Sequence, residues 1–224
     1  MPINKAIVLF SGGLDSTTCL AIAKNRGFDC FALTFSYGQK HEIEVNHALA
    51  LAKEWQVGEH KILTLPFNAL GGSSLTDSAL TVEDYQQEVT KPATYVPARN
   101  TIFLSFALAW GEVLGINDIF IGANQIDYSN YPDCRSNYFA AFEAMAKLAT
   151  RYGEEKTIKI HAPLINMKKA DIIREGVRLG IDYTKTVSCY RADALGRACG
   201  KCDSCYYRKK GFAEALIEDQ TKYY

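Results

Sequence analysis

Two clusters carry most of the chemistry legible in this chain of 224 residues. The first is Phe10-Ser11-Gly12-Gly13-Leu14-Asp15-Ser16-Thr17-Thr18, continued by Cys19 and Leu20. It stands where a strand hands over to a helix, the place where open α/β sheets bind ligands. Paired glycines let the backbone turn tightly, so several amides can converge on an anion with no Cβ in the way. The helix dipole favours negative charge there by roughly 0.3–2 kcal/mol, and Ser11, Ser16 and Thr17 add hydroxyl donors. The segment lacks the Gly-Lys-Ser/Thr ending of a Walker A loop and the glycine spacing of a dinucleotide fingerprint. A plain glycine turn with an Asp/Ser helix cap is the bland alternative, and the full pattern after a first strand disfavours it.

The second cluster is Cys189, Cys199, Cys202 and Cys205, spaced C-x9-C-x2-C-x2-C. Four thiolates satisfy tetrahedral Zn²⁺, and two-residue spacers let consecutive cysteines curl around one ion. A closed four-thiolate site keeps no position for water, so the expectation is one structural zinc per chain. An iron–sulfur cluster or a persulfide-carrying pair draws on the same ligands, and the ligands alone leave the choice open. Cys19 and Cys30 lack ligand spacing and read as core fillers, whereas Cys134 sits in an unusual polar segment.

Three further stretches suit substrate recognition. Tyr95-Val96-Pro97-Ala98-Arg99-Asn100 places an arginine and an amide at a helix entrance, and arginine binds carboxylates bidentately. The run from Gly122 to Arg135 is dense in amides, carboxylates and flat rings, including Asp127 and Tyr128, the equipment for reading a purine-like base by edge and face. Lys168-Lys169-Ala170-Asp171 opens a helix after Pro163-Leu164. His41, His47, His60 and His161 are scattered, so Asp127 is the better candidate for proton transfer.

These residues need a frame. Apolar runs at Lys5–Phe10, Phe28–Phe35 and His60–Leu65 alternate with helical patterns at Asp15–Asn25 and His41–Trp55. Asp118–Gly122 and Thr157–Ala162 add two strands, and Arg99–Leu114, Ser136–Tyr152 and Lys168–Leu179 add helices, the last stopped by Gly180. Alternation of this kind predicts right-handed crossovers and a Rossmann-like, doubly wound parallel sheet of five strands. Residues 67–95 break the rhythm and read as a mobile excursion over the site. The expected division is a nucleotide-binding α/β domain over residues 1–183 and a cysteine-rich, helical segment over 184–224.

Lys+Arg and Asp+Glu are both 25, so the formal net charge is zero. A nucleic-acid binder usually carries a basic excess, and only a local run (Arg197, Lys201, Arg208, Lys209, Lys210) remains for that role. No stretch is apolar and long enough to span a membrane, and no signal-peptide layout opens the chain. Seven cysteines, four of them crowded together, suit metal binding in a reducing cytoplasm rather than a disulfide framework.

The first cluster resembles the SGGxDS loop of PP-loop ATP-pyrophosphatases. Together with Tyr37-Gly38-Gln39-Lys40-His41, the Val96–Asn100 and Asp127–Cys134 segments, Lys168-Lys169 and the four cysteines, the order of motifs resembles the 7-cyano-7-deazaguanine synthase family over about residues 5–212. Asn130 stands where that pattern would have glycine. The resemblance implies that residues 10–20 bind ATP, with the loop gripping the β- and γ-phosphates. It also implies that Asp15 holds Mg²⁺ or orients the phosphates, and that Lys169 reaches back to them. Arg99, Asn100, Asp127 and Tyr128 would then meet the substrate. The implied reaction converts 7-carboxy-7-deazaguanine and ammonia to the nitrile through adenylation of the acid and then of the amide, on the queuosine path, in a cytoplasmic homodimer. Nothing resembles a glutaminase nucleophile, so free ammonia is the expected nitrogen source. The rivals are a tRNA-thiolating PP-loop enzyme and a non-catalytic nucleotide-binding module.

Overall fold

The computed structural model describes residues 4–38, 43–87, 92–127, 130–151 and 157–224. Gln39, Lys40, His41 and the substrate candidate Tyr128 lie outside the described residues. Five strands, β1 (Lys5–Leu9), β2 (Asp29–Ser36), β3 (Glu59–Thr64), β4 (Asp118–Ile121) and β5 (Lys159–His161), pair in the order β3-β2-β1-β4-β5. Every pairing is parallel. The helices among the described residues are α1 (Leu14–Asn25), α2 (Ile43–Glu54), α3 (Arg99–Leu114), α4 (Ser136–Ala149), α5 (Lys169–Arg178) and α6 (Asp203–Ala215). This is the predicted doubly wound architecture.

The central strand explains its own sequence. Ile7 lies between Phe31 of β2 and Ile119 of β4. Ile7 and Leu9 enter a core shared with Leu104 and Leu108 of α3 and Phe139 and Phe142 of α4. Ala6 and Val8 enter the opposite core, with Leu20 of α1, Leu51 of α2 and Ile172 and Ile173 of α5. A strand covered on both faces has no polar side to alternate with, hence the unbroken run. Strands are added to one side of β1 up to β3 and to the other side from β4 on, and this switch between β1 and β4 opens a crevice at their carboxyl ends. There Gly122 follows β4, and a Cβ on it would lie 2.9 Å from the Asp15 carbonyl. Glycine therefore lets the end of β4 approach the start of α1.

Three differences from the sequence expectation have physical causes. The helix expected to reach Tyr152 ends at Ala149, because Thr150 takes an extended backbone (φ −132°, ψ 149°). The described part of 67–95 is packed, with Phe67, Leu75 and Val82 in the core. Ser74 N–H donates to Ala93 O at 2.8 Å, and the Tyr85 ring stacks on Tyr206 at 3.6 Å. Its side chains bury singly rather than as a repeating face, so no periodicity announces them. Finally, Arg208 does not belong to a basic surface run. It is buried, donating to Thr186 Oγ1 and Tyr183 O at 2.9 Å each.

The C-terminal segment enters both cores, through Val187, Cys189 and Ala198 on one side and Phe212 and Ala215 on the other. Its last residues are tied down. Tyr223 bridges to Ala198 and donates to Asp219 at 2.6 Å, while Tyr224 Oη donates to Arg191 O at 2.7 Å. No described helix is long and apolar enough to cross a membrane.

Candidate active site and metal centre

After β1 the chain turns at Gly12, in the left-handed region at φ 74°. A Cβ there would lie 2.8 Å from the Ala48 amide nitrogen of α2, so conformation and close approach both require glycine. Ser11 N–H donates to Ser16 Oγ at 3.2 Å, and Ser16 Oγ donates to Gly13 O at 3.2 Å, which closes the loop on itself. A helix start leaves its first amides without intrahelical acceptors. Leu14 N–H is taken by Ser188 Oγ at 2.9 Å, and Ser11, Gly13, Leu14, Asp15 and Ser16 line the main cavity. Thr18 turns inward to Leu14 O and Tyr183 Oη at 2.8 and 2.7 Å. Phe10, Thr17, Cys19 and Leu20 are buried behind the loop.

Lys169 opens α5 and sits between two carboxylates. Its Nζ lies 2.7 and 2.8 Å from the Asp15 oxygens and 3.0 Å from Asp127 Oδ2. Burial pushes the Asp127 carboxyl up, and the Lys169 ammonium pulls it back. Asp15, Lys169 and Asp127, expected at the phosphates and in proton transfer, thus form one cluster, with Asp15 lining the main cavity and Asp127 a smaller neighbour. Asn124 delivers Asp127: its Oδ1 accepts the Ile126 and Asp127 amides at 2.8 Å, while its Nδ2 donates to Leu164 O and Met167 O.

Arg99 follows Ala98, whose φ of 53° is left-handed, a conformation costing a residue with a Cβ roughly 1–2 kcal/mol. Arg99 lines the main cavity with Tyr37, Glu44 and Cys134. Burial pushes the Glu44 carboxyl up to about 7 against the pull of Arg99. Burial likewise pushes the Cys134 thiol up to about 11, so it stays protonated at neutral pH. Asn100 also borders the cavity, but its side-chain amide donates to Asp133 O at 2.9 Å and to Cys134 Sγ at 3.3 Å. Its contacts hold the 132–134 turn in place. Among the described residues no histidine lines the cavity.

The four cysteines converge. Their sulfurs all lie within 4.8 Å of one another and every one is buried. Cys189 and Cys202 are 4.0 Å apart, and Cys199 and Cys205 3.9 Å. Tetrahedral Zn–S bonds of 2.3 Å require about 3.8 Å between sulfurs. Amides of Arg191 and Cys199 donate to Cys189 Sγ, and those of Lys201 and Cys202 to Cys199 Sγ, at 3.2–3.4 Å. Donors aimed at sulfur favour the thiolate form a metal needs. This buried four-cysteine group can bind a metal such as zinc.

The model of the family described as queuosine biosynthesis protein QueC matches residues 5–216. The chain belongs to the QueC family. Among its relatives is a 7-cyano-7-deazaguanine synthase of Coxiella burnetii (strain RSA 331 / Henzerling II), 57% identical, with 99% of this chain and 98% of that one covered. Two solved structures share the fold at low identity. They are an NMN synthetase from Francisella tularensis (TM-score 0.52, 16% identical, covering 97% of this chain and 79% of that one) and the U34-tRNA thiolase NcsA from Methanococcus maripaludis with its [4Fe-4S] cluster (TM-score 0.50, 15% identical, 98% and 75%).

For this QueC family member the sequence missed two cavity residues of consequence. Ser188 precedes a cysteine ligand and reads as a loop serine until α1 is placed beside it. Glu44 sits on a helix face that looks solvated in sequence. Neither carries a local signal, because each acts on partners far away in the chain.

Proposed function

We propose that this chain is a 7-cyano-7-deazaguanine synthase, an ATP-dependent carbon–nitrogen ligase converting 7-carboxy-7-deazaguanine and ammonia to the nitrile. One observation carries the reading: the anion-binding loop at Ser11–Ser16 and the Arg99 guanidinium line the same cavity. A nucleotide phosphate chain and a carboxylate can therefore meet there. Residues 1–183 hold ATP and substrate, and 184–224 hold a structural zinc at Cys189, Cys199, Cys202 and Cys205.

The chemistry follows from the groups present. A carboxylate oxygen is a poor leaving group, and transfer of AMP to it makes it a good one. Loop amides at Asp15 and Ser16 hold the outer phosphates, and Lys169 offsets charge on the phosphates while Asp15 and Asp127 keep it in place. Mg²⁺ accompanying ATP would supply further positive charge, with Asp15 as its protein ligand. Arg99 orients the acid and Asn100 lines the wall beside it, while Tyr128 is the further substrate contact that the resemblance implies. Ammonia displaces AMP to give the amide; a second adenylation, on the amide oxygen, is followed by proton loss and release of AMP as the nitrile forms. Both rounds use one site.

A homodimer is supported by apolar side chains exposed on α3 and α4, among them Val113 and Leu148 at 81% and 90%. A reducing cytoplasmic setting is supported by seven cysteines without a disulfide. The zero net charge favours small-molecule substrates over nucleic acid.

Incubation with the acid, ATP, Mg²⁺ and ammonium should give the nitrile by mass analysis, with two AMP released for each nitrile. A ratio near one would refute the double adenylation, and sulfur transfer to tRNA instead of nitrile would install the thiolase reading. Asp15→Ala should abolish pyrophosphate release while the metal content is retained.

A further inference from the structure

Beside the main cavity lies a second, smaller one of about 150 Å³. Glu83, Asp84, Asp127 and Asp203 line it. Glu83 and Asp84 are exposed and form the rim, and Asp84 pairs with Arg191. Glu83 and Asp203 have no cationic partner among the described residues. Such a lining repels ATP and a carboxylate substrate and attracts a small cation. An independent observation points to a ligand. Ser74 also lines this cavity, is 0% exposed, and its Oγ has no hydrogen-bond partner. Buried hydroxyls are rarely left so.

Position supplies the rest. Tyr131 lines both cavities. Asp127 faces this one while touching Lys169, which in turn holds Asp15 in the main cavity. We propose that this cavity binds ammonium through Ser74 and its carboxylates, that Asp127 takes one proton from it, and that the resulting ammonia passes Tyr131 to the activated acid. The inference rests on the reading of ammonia as the nitrogen donor, and it assigns the place where that donor is held. At neutral pH the donor is almost entirely ammonium, which has no lone pair for attack. The step balances: one N–H bond of ammonium breaks, its electron pair stays on nitrogen, and the proton joins the Asp127 carboxylate. A cation and an anion become two neutral groups, and Asp127 returns the proton to solvent after turnover. Burial raises the proton affinity of Asp127, which suits this role. The charged and titratable groups facing it are Asp15 from α1, Lys169 from α5, and Lys210, Tyr207 and Asp203 from α6.

The test is steady-state kinetics with ammonium varied at pH 7 and pH 9, ATP and acid saturating. In the wild type the KM expressed as total ammonium should hold steady across this range. The double variant Ser74→Ala with Glu83→Gln should raise the ammonium KM at pH 7 at least about tenfold, the weight of one lost hydrogen bond to a charged group. Asp127→Asn should make the ammonium KM fall with rising pH in step with the free ammonia fraction, because the variant depends on ammonia already neutral in solution. Acid-dependent ATP–pyrophosphate exchange without ammonium reports that the double variant is folded, and the urea midpoint reports it for Asp127→Asn, whose carboxylate also holds Lys169. An unchanged ammonium KM in the double variant, with exchange intact, overturns the cavity assignment. Absence of exchange in the wild type overturns the ligase reading itself, and this inference with it.

Discussion

At Gly12 a single hydrogen atom in place of a side chain sets the shape of the phosphate loop. An alanine there must hold a left-handed backbone, at roughly 1–2 kcal/mol, and must push its Cβ against the backbone of α2 at Ala48. Gly12→Ala should therefore lower the urea midpoint and raise the KM for ATP by at least about tenfold, since a loop shifted by a few tenths of an ångström misaims its amides. Glu44 offers a second measurement at this scale. Its carboxyl is raised by burial from 4.5 to about 7 in the folded chain. The native state then binds the proton more tightly than the unfolded state, so stability from this group is fully present below about pH 4.5 and lost as pH rises through about 7. Glu44→Gln removes that dependence. The fall in urea midpoint between pH 6 and pH 8 should be smaller in the variant than in the wild type, and equal slopes would place Glu44 in solvent.

The turn before the first zinc-type ligand and the start of α1 behave as one element. Val187 N–H reaches Gly12 O at 3.4 Å, and Leu14 N–H reaches Ser188 Oγ at 2.9 Å. A metal that fixes Cys189 thereby fixes its neighbour Ser188 against the nucleotide loop. Ser188→Ala strips the acceptor from a part-buried amide, worth about 1–3 kcal/mol, and should weaken ATP binding by about tenfold with the metal retained. Metal removal should speed hydrogen exchange at Leu14 as well as at Cys199 and Cys202; acceleration confined to the cysteines would separate the two elements. The same contacts mark where sequence reading stops. β1, the glycine turn and the cysteine spacing were legible because their signals lie within a few residues. Ser188 capping Leu14 spans 174 positions, and Lys169 reaching Asp15 spans 154. Neither contact was anticipated: the resemblance singled out the lysine, but as a group reaching the ATP phosphates rather than Asp15. The loop after β4 was legible as polar, yet its amides turn out to hold Asp127 in place, which depends on Leu164 and Met167 arriving from β5's far side of the chain.

Across the whole molecule a buried polar line joins the α/β body to the C-terminal segment. Thr18 of α1 meets Tyr183 Oη at 2.7 Å, and Arg208 of α6 donates to Tyr183 O. Arg208 also pairs with Asp219 at 3.4 Å, and Asp219 accepts from Tyr223, which bridges to Ala198 beside the ligand Cys199. The Arg208 side chain is 5% exposed and that of Asp219 12%, so the pair is screened little by solvent. Removing one partner of such a pair leaves the other charge buried, at about 3–5 kcal/mol. Arg208→Met should cost stability in that range. Its effect should spread, because the groups it ties belong to both cores. Both tryptophans, Trp55 and Trp110, lie in the α/β body, so their fluorescence reports that body alone, while release of the metal to a chromogenic chelator reports the cysteine centre. In urea the two signals should share one midpoint in the wild type and move down together in Arg208→Met. Metal release at a distinctly lower urea concentration, with tryptophan fluorescence unchanged, would mean that the C-terminal segment unfolds independently and that the polar line does not couple it to the sheet.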